Sequence, residues 1–287
     1  MMNSVLIVTN FNAGRKKAVK YKKRVIDFVL KHTKTFKCVN IDELTTIDVS
    51  EYDTILTMGG DGTVNKLLPF IINTDKILGI IPTGTANLLA SKLGISSDLN
   101  KALQCIESGG KKDIDCLNIN GDNCILRCGF GWDSDIICKT PQSLKNRFGY
   151  FAYFIAGILF ALRLKTKEYD IKFDNEQTKI KASCIIIANA SNMYKNLVSV
   201  ADNSYLDDGI TDVFILKTTN PVLFFIEFIL TLLKIRKNST RAEYRHAKNI
   251  IIENNWIASH IDGEKHNIKE NVNITVNPKS VKVFAPL

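Results

Sequence analysis

The run Gly59-Gly60-Asp61-Gly62-Thr63-Val64-Asn65 constrains this chain more than any other stretch. The run Thr54-Ile55-Leu56-Thr57-Met58 before it reads as a buried strand. After it, Val64, Leu67, Leu68, Ile71 and Ile72 recur at helical spacing. Three glycines and one carboxylate therefore occupy a strand-to-helix turn. Glycine lets the backbone take positive φ and approach a ligand closely. The helix that follows offers unpaired N–H groups and a positive dipole end to an anion. The turn reads either as a phosphate cradle carrying one carboxylate or as a tight turn whose glycines serve sterics alone. A second glycine turn favours the cradle, because open α/β sheets place ligands at such strand ends.

That second turn is Pro82-Thr83-Gly84-Thr85-Ala86-Asn87. It follows the apolar strand 76–81 and precedes a helical stripe of Ala86, Leu89, Ala90 and Leu93. Residues 4–9 read as a first strand, running into the turn Asn10-Phe11-Asn12-Ala13-Gly14-Arg15. A helix follows with Ala18, Tyr21, Val25 and Val29 on one face and many lysines and arginines on the others. The basic faces read as solvated helix or as an anion or membrane contact. Residues 36–41 read as another strand and 100–108 as another helix. Strands alternating with helices indicate a parallel, doubly wound α/β domain.

Gly109-Gly110-Lys111-Lys112 is the linker candidate, which sets domains of 1–112 and 113–287. Beyond it come short strand-like stretches at 113–120, 124–129, 169–174, 179–190, 210–216, 249–252, 272–276 and 281–284. A Gly121-Asp122-Asn123 turn joins the first two as a hairpin. The pattern indicates a mostly antiparallel β domain, sandwich or barrel. Two apolar segments interrupt it. Residues 148–162 carry no charge and lie between Arg147 and Arg163. Residues 221–233 contain Glu227 and precede Lys234, Arg236 and Lys237. Both are shorter than the about 20 residues of a spanning helix. They read as buried core helices, or as interfacial helices or pocket walls whose flanking cations meet anionic headgroups.

Composition narrows the classes. A hydrophobic content of 45% excludes wholesale disorder, and a net charge of +9 favours an anionic partner. The seven cysteines include no C-x-x-C pair. Cys116, Cys124, Cys128, Cys138 and Cys184 lie in apolar runs and read as reduced thiols, which implies a cytoplasmic setting. The four histidines do not cluster with them as zinc ligands would. Residues 1–10 lack the basic-then-apolar layout of a signal peptide. No aromatic-basic motif for nucleic acid is present.

Phosphoryl transfer needs amides on the phosphates, a metal to neutralise charge and a base near the accepting hydroxyl. Asp61 is the candidate for organising Mg²⁺ through water. Asn65 and Asn87 either hydrogen-bond nucleotide or cap their helices. Thr85 and the amides near Gly84 are further candidates for phosphate oxygens, as are Arg15 and Lys16. Two acidic turns lie in the second part, Asp207-Asp208-Gly209 and Ile261-Asp262-Gly263-Glu264. Asp and Gly are common turn formers, so neither turn is diagnostic by itself.

In that order and spacing, G-G-D-G-T-x-N, P-x-G-T-x-N, D-D-G and D-G-E resemble the diacylglycerol kinase catalytic family, in particular its soluble bacterial lipid kinases related to sphingosine and ceramide kinases. The resemblance implies an NAD-kinase-like α/β domain and a C-terminal β-sandwich, with ATP and Mg²⁺ in the cleft between them. It implies nucleotide binding by Asn10, Gly59, Gly60, Asp61, Gly62, Thr63, Asn65, Gly84, Thr85 and Asn87. It makes Asp262 the general base on the lipid hydroxyl, acting with Asp61 and supported by Glu264. Asp208, with the carbonyls of Tyr205 and Ile210, would hold a separate structural Mg²⁺. Phe11, Lys66, Leu88 and the segment Asn192-Met193-Tyr194-Lys195-Asn196 depart from the family pattern.

The expected function is an ATP- and Mg²⁺-dependent lipid kinase that phosphorylates a hydroxyl of diacylglycerol or a related lipid. The expected partners are the lipid and an anionic membrane surface met peripherally, with homodimerisation open and no nucleic acid. The alternatives are a kinase of NAD or a small molecule, and a catalytically weak nucleotide- or lipid-binding module.

Overall fold

The computed structural model describes residues 2–11, 17–141, 144, 151–189, 192–193, 198–199, 205–232, 235, 238–253, 257–268 and 271–286. Arg15, Lys16, Arg147, Lys234, Arg236, Lys237 and residues 194–196 fall outside them. The chain forms two compact units, Met1–Asp115 with Pro278–Leu287, and Cys116–Asn277.

The first unit begins β1(Ser4–Thr9), α1(Lys17–His32), β2(Thr35–Asn40), β3(Thr54–Gly59), α2(Asp61–Ile71), β4(Ile77–Pro82), α3(Leu88–Lys92) and α4(Leu99–Ser108). Its sheet is parallel. β1 lies between β2 and β3, and β4 continues the order beyond β3. β1, β3 and β4 are buried almost throughout, as two covered faces require, while the edge strand β2 is largely exposed or half-buried. Val5, Ile7, Leu56, Met58 and Ile81 pack with Ala18, Val25, Phe28 and Val29 of α1 and Leu99, Leu103 and Ile106 of α4. Each such aliphatic burial contributes about 1.5–3 kcal/mol. α2 contacts β3 and buries Val64, Leu67, Leu68 and Ile71. The helical stripe expected from Ala86 starts only at Leu88, because Asn87 is held left-handed (φ 50) as its N-cap.

The last strand returns to this unit. Residues 272–276 and 281–284 are one strand, β18(Val272–Phe284), rather than two. Pro278 lacks a donor and Lys279 takes a positive φ of 51, which together suggest a break. The Lys279 amide instead donates to Asp115 Oδ1 at 2.7 Å, so the strand is kinked but continues. Lys282 and Val283 then pair in parallel with Ile77 and Leu78.

β5(Lys111–Ile119) leads into the second unit, followed by β6(Asp122–Cys124), β7(Arg127–Gly131), α5(Trp132–Lys139), α6(Phe151–Ala161), β8(Lys167–Phe173), β9(Glu176–Ala182), β10(Cys184–Ala188), β11(Asn192–Met193), β12(Val198–Ser199), β13(Thr211–Leu216), α7(Pro221–Leu232), β14(Ala242–Ala247), β15(Asn249–Glu253), β16(Ile257–Ile261) and β17(Glu264–Ile268). One sheet has the order β14-β13-β10-β7-β16-β17. The other contains β15 between β18 and β8, with β9 beyond β8. Alternate residues of both sheets meet in one core. Phe130, Ile185, Ile187, Val213 and Ile215 come from the first sheet, and Tyr169, Ile171, Ile250, Ile252 and Ile274 from the second. This is a β-sandwich.

Three expectations for this unit change. The β5–β6 hairpin turns at Asn120 and Gly121, whose φ values of 51 and 96 suit a tight primed turn, one residue before the expected one. Residues 124–129 are two strands rather than one, because the backbone at 125–126 leaves the ladder for another partner described below. Residues 179–190 also divide. At Ser183 the chain passes from β9, paired with β8, to β10, paired with β7 and β13. The Ser183 amide and hydroxyl both donate to Leu216 O, at 2.8 and 3.1 Å, which fixes that crossing. α5, β14, β16 and β17 have no counterpart among the sequence expectations.

Within the two apolar segments, the described residues form the helices α6 and α7. Ala161 and Phe224 from them join Cys184, Ile186, Ala188 and Leu216 in a second apolar cluster, with Trp132 against Phe224 at 4.6 Å between ring centroids. β10 is therefore buried on both faces, which explains its unbroken apolar run. The helices also present apolar residues to solvent, including Leu159 at 58% and Val222 at 66% exposure. Among the described residues, no helix is long and apolar enough to cross a membrane.

Candidate active site

In the first unit the candidate residues gather at the C-terminal ends of β1, β3 and β4. β2 lies on one side of β1 and β3 on the other, so the strand order reverses between β1 and β3. Such a point opens a ligand crevice in a parallel sheet. Asn10, just after β1, donates from Nδ2 to Thr63 Oγ1 at 3.3 Å. Its own amide bonds to Met58 O at 3.1 Å.

The two glycine turns touch. The amides of Thr83 and Gly84 both donate to Gly59 O, at 3.0 and 3.1 Å. A Cβ on Gly84 would lie 2.4 Å from Gly60 Cα, and one on Gly59 would lie 2.2 Å from Thr63 Oγ1. Only glycine allows these approaches. Asp61 closes the pair. Its Oδ2 accepts from the Leu88 amide and its Oδ1 from the Leu89 amide, both at 3.0 Å. The carboxylate of one turn thus caps the helix that follows the other. Asn87 Nδ2 donates to Gly84 O at 2.9 Å, which holds the second turn from within. Thr63 is buried beneath the first turn, while Asn65 and Gly84 are half-buried and Thr85 and Lys66 exposed. This glycine-walled, side-chain-poor pair of turns fits the close backbone approach that nucleotide phosphates need.

In the second unit Asp262 sits at the β16–β17 turn with φ 48, next to Gly263 with φ 88. Its carboxylate is the partner that draws residues 125–126 out of the ladder. Oδ2 accepts from the Ile125 amide at 2.8 Å, and Oδ1 from the Leu126 and Arg127 amides at 2.9 Å each. Cys124 Sγ donates to Oδ1 at 3.3 Å. Burial, followed by the nearby Asp262 charge, raises the Cys124 thiol well above its ordinary pKa, so it stays a protonated donor. Glu264 opens β17, pairs with Ile261 and is exposed.

A buried polar cluster that sequence reading missed adjoins this turn. Arg127 Nη1 donates to Asp133 Oδ2 at 2.6 Å, and His260 Nε2 lies 2.7 Å from the same oxygen. Burial alone would raise the Asp133 carboxyl. The Arg127 and His260 partners outweigh it and hold the group well below the usual carboxylate range. Its signal was present but weak: an aspartate in the first turn of a helix after Gly131, and a histidine on the inward side of a strand.

Asp208, Tyr205 and Ile210 share one short loop before β13. The Ile210 amide donates to Asp208 Oδ1 at 3.1 Å, and Gly209 takes φ 71. One carboxylate and two carbonyls are all-oxygen donors, the chemistry Mg²⁺ prefers. Among the described residues, no cluster of three or more His, Cys, Asp or Glu side chains that could hold a metal occurs.

Comparison with known proteins adds the family. Residues 4–119 match the diacylglycerol kinase catalytic domain, and residues 128–285 match the YegS C-terminal NAD kinase beta sandwich-like domain. An uncharacterized Synechocystis protein is 30% identical over 239 residues, covering 81% of this chain and 55% of that protein. A diacylglycerol kinase of Bacillus subtilis is 31% identical over 206 residues, 70% of this chain and 64% of that protein. The matched region thus spans less than two thirds of either relative. A solved structure from Bacillus anthracis str. Sterne has a TM-score of 0.85 at 21% identity, covering 99% of this chain and 97% of that chain. The fold is therefore shared well beyond what sequence identity retains. With both domain types matched in order along the sequence, the chain belongs to the diacylglycerol kinase catalytic-domain family, in the branch with a YegS-type β-sandwich.

Proposed function

We propose that the protein is an ATP- and Mg²⁺-dependent lipid kinase acting on a hydroxyl of diacylglycerol or a related lipid at an anionic membrane surface. The observation that carries this reading is the contact of two glycine turns, joined by Asp61, at the reversal point of a parallel sheet. ATP supplies the phosphoryl group, and Mg²⁺ neutralises the charge that develops on it. The backbone amides of the turns would hold phosphate oxygens, and Asp61 would hold the metal through water. Asp262 takes the proton of the acceptor hydroxyl. That oxygen bonds to the transferred phosphorus as the bond to the leaving nucleotide oxygen breaks. Glu264 supports Asp262, and Asp208 with the carbonyls of Tyr205 and Ile210 holds a structural Mg²⁺.

The lipid acceptor and the membrane follow from α6 and α7. Their exposed residues Ile158, Leu159, Val222, Ile226 and Ile229 form apolar surface that a water-soluble acceptor would not need. This disfavours a kinase of NAD or a small molecule.

A second reading, a binding module of low activity, draws on a specific feature. Both candidate carboxylates, Asp61 and Asp262, are already engaged by backbone amides. Purified protein incubated with labelled ATP, Mg²⁺ and a panel of lipids separates the two. Labelled phospholipid supports the kinase. Nucleotide binding with no transfer to any lipid supports the module and ends the enzyme reading.

A further inference from the structure

Asp262 is useful as a base only if its carboxylate stays where the acceptor hydroxyl arrives. Its four donors come from consecutive residues, Cys124 to Arg127, which run from the end of β6 to the start of β7 with 125–126 outside the ladder. Asn189 holds the carbonyls of this segment, its amide donating to Leu126 O at 2.8 Å and its Nδ2 to Ile125 O at 3.0 Å, and the amides are turned to Asp262.

Arg127 is the link. Its backbone amide donates to Asp262 Oδ1 and its carbonyl accepts from the Asp262 amide at 2.9 Å. Its side chain turns inward to Asp133, which is 2% exposed. His260, fully buried, reaches the same Asp133 oxygen from β16, two residues before Asp262. On the other side of the ring, Nδ1 accepts from the Gly263 amide at 3.3 Å. Nδ1 is then unprotonated, and Nε2 carries the proton that it donates to Asp133. The cluster contains one anion, one cation and one neutral imidazole, so its charge is balanced in a buried place. Asp133 ties both walls of the nest, the donor segment through Arg127 and the acceptor turn through His260 and Gly263. Gly129 keeps the space, since a Cβ there would lie 2.1 Å from Asp133 Oδ2 and 2.6 Å from His260 Nε2.

We infer that Arg127, Asp133 and His260 are positioning residues that fix the Asp262 carboxylate for phosphoryl transfer without touching substrate. The inference rests on the reading of Asp262 as the base, and its test has one arm independent of that reading. In the first arm, amide hydrogen exchange of the full chain is compared between wild type and Asp133→Asn, an isosteric change. Protection of the Ile125, Leu126 and Arg127 amides should fall at least about tenfold, while β13 keeps its protection. Unchanged protection at 125–127 overturns the inference. Should Asp133→Asn not fold, Arg127→Lys carries the same comparison, because it keeps the charge and loses the planar fork.

In the second arm, kcat of Asp133→Asn or Arg127→Lys should drop at least about tenfold with KM for ATP within about twofold. A parallel rise in KM for ATP with kcat unchanged overturns it. A nitrogen NMR spectrum should show His260 as the Nε2–H tautomer in wild type; the Nδ1–H tautomer would contradict the network. If Asp262→Asn proves fully active, the base reading fails, while the exchange result still decides whether these residues hold the carboxylate.

Discussion

Oδ2 of Asp61 accepts a hydrogen bond from the Leu88 amide at 3.0 Å, across the gap between two glycine turns that are separate in sequence. Leu88 enters this contact through its backbone amide alone. The bond makes the two turns one structure, and Asp61 a structural residue as well as a candidate metal organiser.

Asp61→Asn should therefore weaken both roles. Asparagine keeps one acceptor oxygen and presents its NH₂ to the other amide, leaving one helix-capping bond unmade. A loss of about 1–2 kcal/mol is expected in denaturant unfolding, with reduced nucleotide affinity by calorimetry. Unchanged stability would show that the cap contributes nothing.

Gly84→Ala tests the contact between the turns. The added methyl would press on Gly60 backbone, which has no side chain to swing away. Separation of the turns should cost about 1–3 kcal/mol and lower ATP affinity, read by thermal shift and calorimetry. Gly109→Ala is a poor control, because Gly109 takes φ 71 and is strained in its own right.

Asp133 sets a pH dependence whose sign follows from its lowered pKa. The unfolded carboxyl titrates near pH 3.9, whereas the folded one holds its charge to lower pH. Between those values the unfolded state binds more protons, so stability falls as pH drops below about 4. Above that window the contribution is fully present. Denaturant unfolding from pH 6 to pH 3 should show this loss in wild type, and Asp133→Asn should show a shallower decline.

The apolar faces of α6 and α7 should drive membrane binding. Leu159→Asp and Ile229→Asp change residues 58% and 52% exposed, so folding should be little affected. Losing one inserted aliphatic side chain corresponds to about 2 kcal/mol, about thirtyfold in vesicle affinity. Co-sedimentation with vesicles containing phosphatidylglycerol measures it, with salt weakening the electrostatic part. Wild-type indifference to vesicles would remove the membrane from the proposal.

The cysteines offer a chemical check of the sandwich. Cys124, Cys128 and Cys184 are buried, and burial raises all three thiols. Alkylation at pH 8 followed by mass spectrometry should label Cys138, half-buried, before these three. Early labelling of Cys128 would mean that the sandwich core opens.

By itself the sequence determined the local grammar of the first unit. β1, β3 and α2 follow from apolar periodicity and glycine placement, both carried by neighbours within one element. The glycine turns were legible as tight turns because backbone geometry alone demands glycine there. The four motifs carried the family, and with it the sandwich.

Tertiary structure decided what depends on partners far along the chain. Residues 124–129 read as one strand until Asp262, more than a hundred positions away in the sequence, takes the amides of 125–127. Residues 179–190 read as one strand because β10 is apolar on both faces, and only the sheet crossing at Ser183 divides it. Asp133 and His260 carried no motif. Their significance comes from a 2.7 Å contact in a buried place, where an unpaired charge would be costly and a paired one is held firmly. Periodicity records which way a residue faces; which residue it meets is decided by the packing of the sheets.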